Sequence, residues 1–134
     1  MSGYSGIPLT KKLGIKEGSR IALINEPENF FREIAPLPSD ATAVRSSTKE
    51  IDLILLFAKS ESQLIKDFEK FSKKLKPTGM LWVAWPKKSS GVTTDLSFDV
   101  VQKIGLARGL VDTKICAINE IWSGLRFVVR LKDR

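Results

Sequence analysis

An almost unbroken apolar run at residues 53–58 constrains the fold of this chain most strongly. It belongs to a predicted strand over residues 51–58, in which nearly every residue from Leu53 onward is apolar. A strand with two apolar faces belongs in the middle of a sheet that helices cover on both sides. Shorter apolar runs at residues 20–25 and 80–85 predict further buried strands. The sequence therefore predicts an α/β fold built on one sheet.

Helical patterns alternate with these strands. Ser60 and Gln63 have the spacing of a capping box, and apolar residues recur after them at helical steps. Those residues are Leu64, Phe68, Phe71 and Leu75. A short helix is predicted after Pro27, and another follows a cap at Thr94 or Asp95. The inward residues predicted for this last helix are Leu96, Val100, Ile104 and Ala107.

The order of these elements predicts the topology. Strands separated by helices, with right-handed crossovers, build an open and mostly parallel sheet with helices on both faces. A weaker strand is predicted at residues 41–45, and strands at 111–118 and 125–131 form a C-terminal antiparallel hairpin. The predicted strand order is second, first, third, fourth, sixth, fifth. Residues 1–12 are predicted to be an N-terminal arm and residues 13–134 a single domain.

Composition excludes several kinds of chemistry. The 134 residues include 22 Lys and Arg, 15 Asp and Glu, one Cys and no His, which gives a net charge of +7. The lack of His excludes His-based triads and His-liganded metals, and the single Cys116 excludes disulfides and zinc clusters, so no metal is predicted. Cys116 is predicted to be a buried structural residue. Without a signal peptide or a membrane-length apolar run, we expect a cytoplasmic protein with no membrane contact.

Two stretches resemble class I S-adenosylmethionine (SAM)-dependent methyltransferases. Residues 13–21 (LGIKEGSRI) are similar to the approach to the first strand of that family, and residues 74–81 (KLKPTGML) to the turn before its fifth strand. Asp52 resembles the start of its fourth strand, and the final hairpin fits its sixth and seventh strands. The resemblance implies a truncated Rossmann-like fold, because the five residues between Arg45 and Ile51 leave no room for a helix and a further strand.

The chain departs from that family at the positions where the family binds its cofactor. Residues 24–29 (INEPEN) replace the Gly-x-Gly turn and contain no glycine. The second strand ends at Val44-Arg45-Ser46, where the family has an acidic residue for the ribose. Nothing after Phe57 matches the Asn-Pro-Pro-Tyr motif of amino methyltransferases. We therefore predict no cofactor and no catalytic residues, with SAM as the alternative cofactor despite the absent glycine-rich loop.

The whole chain also resembles a family of small, uncharacterised bacterial proteins known only as a domain of unknown function. The matching patterns are residues 4–15, residues 82–91 (WVAWPKKSSG) and residues 109–125. This resemblance implies the fold and a bacterial origin, and it implies no activity.

Ligands of an open parallel sheet bind beyond the carboxyl ends of the strands, where the strand order reverses. The residues predicted at that edge are Asn25, Glu26, Ser60, Trp85, Lys87, Lys88, Ser89, Ser90, Glu120, Trp122 and Ser123, with Lys59 beside them. The lysines and hydroxyls of residues 87–90 suit an anion, and the alternative is a solvated loop. Trp85 and Trp122 offer flat walls or close the core, and Glu26 and Glu120 could pair as carboxylates.

These observations favour a non-catalytic, methyltransferase-like domain. We expect it to bind an anionic small ligand or a protein partner at the carboxyl edge of the sheet. The alternative is a divergent SAM-dependent methyltransferase. A nucleic-acid-binding module comes third, because the net charge of +7 is unaccompanied by an RNA-recognition signature or a helix-turn-helix pattern.

Overall fold

The computed structural model describes residues 7–134, which form a six-stranded sheet in the order β2-β1-β3-β4-β6-β5. The strands are β1 (Arg20–Ile24), β2 (Thr42–Ala43), β3 (Ile51–Phe57), β4 (Leu75–Pro86), β5 (Leu110–Ala117) and β6 (Trp122–Val129). The α-helices are α1 (Leu9–Leu13), α2 (Phe31–Ile34), α3 (Glu61–Ser72) and α4 (Phe98–Ala107). Strands β1 to β4 pair in parallel, whereas β6 runs antiparallel to both β4 and β5. The predicted fold class, strand order and C-terminal hairpin are confirmed.

Two apolar cores lie on opposite faces of the sheet, because side chains alternate along each strand. On one face, Ile54 and Leu56 of β3 pack with apolar residues of α3 and α4. On the other face, Leu53, Leu55 and Phe57 pack with residues of α1 and α2. The two-sided apolar pattern of residues 53–58 is thus the pattern of a central strand, as predicted. Within the described range 7–134, no helix is long and apolar enough to cross a membrane.

The structure moves the boundary between α3 and β4. Ser60 caps α3 as predicted, since its Oγ accepts a hydrogen bond from the Gln63 amide at 3.2 Å. The helix ends at Ser72, however, and Leu75 opens β4 opposite Ile51. Gly79 permits the close approach of β3 and β4, because a Cβ there would lie 2.8 Å from the Asp52 carbonyl oxygen.

The N-terminal end of α4 also differs from the prediction. Ser97 is the cap, and its Oγ accepts a hydrogen bond from the Val100 amide. Thr94 and Asp95 instead reach α3: Thr94 Oγ1 donates to the Lys59 carbonyl at 2.6 Å, and Asp95 Oδ1 accepts from the Glu61 amide at 2.7 Å. Two polar side chains expected to start α4 therefore fix it to the start of α3.

The inward face of α4 is rotated relative to the predicted one. Its buried residues are Val101, Ile104 and Gly105, whereas Ala107 is exposed. Gly105 is buried without a side chain, because the ring of Phe127 fills the space beside its Cα.

Strand β2 is much shorter than the predicted residues 41–45. It pairs only with Arg20 and Ile21, and the ladder closes with a hydrogen bond of 2.7 Å from the Val44 amide to the Ile21 carbonyl. Asn25 lies four residues beyond Ile21, which is roughly 13 Å along an extended strand. The end of β2 is therefore far from the carboxyl edge of β1.

The predicted boundary between an arm of residues 1–12 and the domain falls inside α1. Two hydrogen bonds join this helix to the sheet: Trp82 Nε1 donates to the Leu13 carbonyl at 2.8 Å, and Lys12 Nζ donates to the Ala117 carbonyl at 2.9 Å. Residues 1–6 of the predicted arm lie outside the described residues.

Candidate functional site

A crevice opens beyond the carboxyl ends of β1 and β3. The strand order reverses there, since β2 lies on one side of β1 and β3 on the other. The crevice contains a cavity of about 220 Å³, whose lining residues are Asn25, Phe57, Ala58, Lys59, Gln63 and Trp122. Open α/β sheets bind their ligands at such a reversal point. The cavity is smaller than the roughly 300–1,000 Å³ of sites that enclose a whole small molecule.

Asn25 forms the turn that leaves β1. Its backbone is left-handed, with φ of 59°, a conformation that asparagine tolerates better than most non-glycine residues. Its Nδ2 donates hydrogen bonds to Asp67 Oδ2 at 3.0 Å and to the Phe57 carbonyl at 3.4 Å. The first loop therefore makes a left-handed turn without a glycine, and the Asn25 side chain spans from β1 to α3.

Aromatic rings form the base of the crevice. The Phe57 ring packs edge-to-face against Phe30 on one side, at 4.9 Å between centroids, and against Trp122 on the other, at 5.0 Å. All three side chains are buried, so they hold one another in fixed orientations. Phe57 and Trp122 line the cavity and give it an apolar wall, and Phe30 supports Phe57 from the other side.

The start of α3 borders the cavity, and the chain itself already occupies its polar groups. Asp95 accepts a hydrogen bond from the Glu61 amide, and the Ser60 hydroxyl accepts one from the Gln63 amide. The Gln63 side chain accepts another from the Lys59 amide at 3.3 Å. Ser60, predicted as a ligand residue, thus acts as a helix cap, and the exposed Lys59 side chain provides the positive charge beside the cavity.

The two tryptophans predicted to share the site lie on opposite faces of the sheet. Trp85 pairs with Ser123 across the β4–β6 ladder, whereas Trp122 pairs with Pro86, one residue further along. Neighbouring positions on a strand face opposite sides. Trp85 accordingly packs in the core beneath α3 and α4, and Trp122 packs in the core beneath α1 and α2. The cavity is therefore lined by Trp122 and not by Trp85.

Residues 87–91 form a compact turn beside the crevice. The Ser90 hydroxyl donates to the Lys87 carbonyl at 2.6 Å and accepts from the Val92 amide at 3.2 Å. The Lys87 amide donates to the Ile121 carbonyl at 2.8 Å and thereby joins this turn to the hairpin. Lys88 and Ser89 are exposed. Because none of these predicted residues lines the cavity, anion binding by this turn stays a prediction.

The hairpin turn between β5 and β6 depends on Asn119, to which the sequence analysis assigned no role. Its Oδ1 accepts hydrogen bonds from the amides of Ile121 and Trp122, each at 2.9 Å, and its Nδ2 donates to Glu33 Oε1 at 3.1 Å. An asparagine at the start of a turn commonly accepts from the amides that follow it, so the residue type was the available signal.

The remaining predicted residues lie at the rim. Glu120 is exposed in the hairpin turn, and Glu26 is exposed directly after Asn25. Ser123 lies within β6, where it pairs with Trp85 of β4 and with Ala117 of β5. Conversely, Phe57, Ala58 and Gln63 line the cavity without having been predicted. Phe57 ends β3, Ala58 follows it, and Gln63 lies in the first turn of α3. Their place around the carboxyl end of β3 was the signal, since the carboxyl end of a central strand faces such a crevice.

Metal-binding clusters and the cysteine thiol were the remaining candidates for chemistry in residues 7–134. Residues 7–134 contain no group of three or more His, Cys, Asp or Glu side chains that could hold a metal ion. Cys116 is half-buried in β5, and burial raises the pKa of its thiol, although the positive charges of Lys12, Lys114 and Arg126 oppose that shift. A raised pKa disfavours the nucleophilic thiolate.

Known structures share this fold. The chain is similar to a SAM-dependent methyltransferase from Aquifex aeolicus, with a TM-score of 0.67 and 12% identity over 91% of this chain and 88% of that one. It is also similar to magnesium protoporphyrin IX methyltransferase (ChlM) from Synechocystis PCC 6803 with bound SAM, with a TM-score of 0.58 and 8% identity over 91% and 74% of the two chains. A LepI complex with SAM gives a TM-score of 0.56 and 11% identity over 92% of this chain and 47% of that one.

These similarities establish a methyltransferase-like Rossmann fold. No protein-family profile and no curated protein sequence matches the chain. Membership of the uncharacterised bacterial family therefore stays a prediction.

The prediction of no cofactor is wrong. It rested on the missing Gly-x-Gly turn, yet ChlM and LepI hold SAM on this fold.

Proposed function

We propose that this chain is a divergent SAM-dependent methyltransferase that binds SAM in the crevice between β1 and β3. The observation that carries the proposal is the cavity at the reversal point of the strand order, next to the left-handed turn at Asn25. Its support from known proteins is that structures of the same fold hold SAM or belong to SAM-dependent methyltransferases.

The residues around the cavity fit this cofactor through their chemistry. Lys59 offers a positive charge for the carboxylate of the methionine part, and the amide of Gln63 lies beside it. Phe57 and Trp122 supply an apolar wall that keeps water from one side of the crevice. The cavity of about 220 Å³ would hold part of such a molecule, and movement of the lining Asn25 side chain would enlarge it.

The ribose contact would differ from that of the resembling family. Because β2 ends opposite Ile21, none of its residues reaches the carboxyl edge of β1. This loop carries two exposed carboxylates, Glu26 and Glu28. Glu26 follows Asn25 directly, so it is the one that we assign to the ribose hydroxyls. The proposed site therefore takes its acidic residue from the first loop.

When bound, SAM would supply a methyl group, carried on a positively charged sulfur, for transfer to a nucleophilic acceptor. The chain would contribute position and exclusion of water: Lys59 and Gln63 would hold one end, and Phe57 with Trp122 would close one wall. The chain has no His, so a proton leaving the acceptor would pass to solvent or to a titratable group other than an imidazole.

Isothermal titration with SAM and S-adenosylhomocysteine tests the binding step. We expect wild type to bind with Kd on the order of 10–100 μM, since part of the cavity is filled by Asn25. Asn25→Gly removes that side chain and keeps the left-handed turn, so it should bind roughly 3- to 10-fold more tightly. Asn29→Gly is the matched control, because Asn29 also has a positive φ, of 66°, but does not line the cavity.

The proposal fails if neither wild type nor Asn25→Gly gives heat or a thermal shift at about 1 mM SAM. The proposed methyl transfer is refuted if SAM binds but no S-adenosylhomocysteine is produced when phenols, carboxylates or amines are supplied as acceptors.

A second candidate is the non-catalytic domain that binds an anionic small ligand. Exposed Lys59 and Lys88, which follow β3 and β4 at the same edge of the sheet, favour it. Titration with inorganic phosphate separates the two: this candidate requires binding that Lys88→Met weakens, whereas SAM binding depends on Lys59.

Two further proposals rest on the sequence alone. The motifs at residues 4–15 and 82–91 support membership of the uncharacterised bacterial family. The single cysteine supports a place in the reducing cytoplasm.

A further inference from the structure

The outward side of α3 and the loop that joins β2 to β3 form one positively charged surface, which we call the α3 basic face. Its cations are Arg45, Lys49, Lys66, Lys70, Lys73 and Lys74, of which the last is partly buried and the others are exposed. Within residues 7–134, none of the six forms an ion pair with a carboxylate. The face therefore presents positive charge to solvent.

Contacts between the end of α3 and the loop bring the two groups of cations together. Lys74 Nζ donates a hydrogen bond to the Ser46 carbonyl at 3.0 Å, and the Lys74 carbonyl accepts one from the Ile51 amide at 3.0 Å. Lys70 and Lys74 also share one ring, since their Nζ atoms lie 5.2 Å and 5.8 Å from the centroid of Phe71. The ring thus holds two ammonium groups beside the loop.

The row of lysines continues along the outward side of α3. Lys66, Lys70 and Lys73 follow one another at steps of four and three residues, so they share the side of the helix opposite to the buried Leu64 and Phe68. Each such step is roughly 5–6 Å along the helix axis, and like charges at this spacing repel. The helix dipole favours cations in the last turn, which accounts for Lys70 and Lys73 but not for Lys66.

The two acidic residues that alternate with these lysines are bound elsewhere. Asp67 Oδ2 accepts a hydrogen bond from Asn25 Nδ2 at 3.0 Å, and Glu69 Oε1 lies 2.7 Å from Nη1 of Arg108 at the end of α4. These contacts draw the two carboxylates to opposite flanks of α3. The loop adds one exposed carboxylate, that of Glu50. Positive charge therefore prevails on the α3 basic face.

The residue types of the α3 basic face suit a nucleic acid better than a protein partner. Protein interfaces centre on apolar and aromatic side chains and contain little lysine, whereas nucleic-acid interfaces are polar and strongly positive. The exposed Ile65 of α3 lies one turn before Glu69, on the flank toward α4 and outside the face. Phe71 is only 4% exposed, so it offers no platform on which an unpaired base could stack. A duplex, which presents its phosphates outward, needs no such platform.

We propose that the α3 basic face binds the phosphate backbone of a nucleic-acid duplex without reading its sequence. Lysine reaches phosphates as a mobile point charge, and a DNA duplex carries one negative charge per roughly 1.7 Å of its axis. Several lysines of the row can therefore contact phosphates at once, which also removes the repulsion between them. The face shares no residue with the cavity assigned to SAM, so this proposal and the proposed function are tested separately.

Fluorescence anisotropy of a labelled DNA duplex, titrated with the full chain at several salt concentrations, tests the proposal. Contact with about four phosphates predicts a slope of about −3.6 for the logarithm of the association constant against that of salt concentration. The affinity then falls roughly 150-fold between about 50 and 200 mM salt. The double variant Lys66→Gln/Lys70→Gln removes two contacts, so its slope should be smaller by about 2 and its affinity at about 50 mM salt roughly tenfold weaker.

The double variant Lys103→Gln/Lys132→Gln is the matched control. It removes the same charge from exposed residues outside the α3 basic face, so it should bind the duplex within about twofold of wild type. Circular dichroism checks that both double variants fold.

The proposal is overturned if wild type does not bind the duplex at about 50 mM salt, if binding does not weaken as salt rises, or if the two double variants lose affinity equally. It is also overturned if polyglutamate displaces the labelled duplex as effectively as unlabelled duplex does, because the partner would then be an acidic protein.

Discussion

The side chain of Asn25 is bound to Asp67, with 3.0 Å between Nδ2 and Oδ2. The two residues lie 42 positions apart, one after β1 and the other on α3. Their hydrogen bond holds the turn that borders the cavity, so it couples the shape of the cavity to the position of α3.

Asp67→Ala releases Asn25. Since the bond lies near the surface, we expect the free energy of unfolding in urea to fall by only about 0.5–1 kcal/mol. SAM should bind more tightly than to wild type, as expected for Asn25→Gly, because the side-chain amide of Asn25 is then free to leave the cavity. Glu17→Ala, at an exposed site, is the control and should change stability by less than about 0.5 kcal/mol. A weaker affinity in Asp67→Ala would contradict the role assigned to Asn25.

Gly105→Ala should be strongly destabilising although alanine favours helices. A Cβ at Gly105 would overlap the ring of Phe127, which is fully buried. Overpacking of this kind costs about 1–3 kcal/mol, measured as a lower urea midpoint. Gly105→Ala combined with Phe127→Leu should recover part of the loss, because the ring is removed. Equal stability of Gly105→Ala and wild type would show that α4 is able to move away from β6.

The hairpin turn should depend on the carbonyl oxygen of Asn119. Asn119→Ala removes the acceptor for two amides and should cost about 1–2 kcal/mol of unfolding free energy. Asn119→Asp keeps an acceptor for both amides but places a carboxylate next to Glu33, so it should cost less than the alanine variant. The reverse order would mean that the bond to Glu33 matters more than the turn.

Cys116 should make stability depend on alkaline pH. Burial raises the pKa of its thiol above the ordinary value of 9.0, so the neutral form is favoured in the folded state. The resulting stabilisation is complete below the ordinary pKa and is lost as pH rises through the raised folded value. The free energies of unfolding of wild type and Cys116→Ser should therefore differ by a constant amount near pH 7–8. Above about pH 9, the value for wild type should fall relative to that of the variant. A constant difference up to pH 10.5 would contradict the shift.

The sequence predicts the fold well because its strongest signals are those of burial. Residues 53–58 are apolar on both faces, and only a central strand satisfies such a pattern. The boundary between α3 and β4 could not be predicted as readily, because Leu75 continues the helical spacing of Phe68 and Phe71 although it begins a strand.

The candidate site was predicted less completely because it depends on register and distant contacts. A one-residue offset between β4 and β6 sends Trp85 and Trp122 to opposite faces, and the sequence carries no mark of that offset. The bond from Asn25 to Asp67 joins residues that no local pattern connects. The strand-end rule depends only on topology, and the cavity lies at the sheet edge that this rule predicts.

The short β2 leaves the sheet open to growth at one side. Residues 45–50, which are mostly exposed, turn directly from β2 into β3, whose pairing with β1 is already complete. A helix and a strand grafted into this connection would lie outside β2 and would leave the registers of β1 and β3 untouched. The chain is therefore a small scaffold, and a larger ligand-binding surface can be added to it beyond β2 without changes to its core.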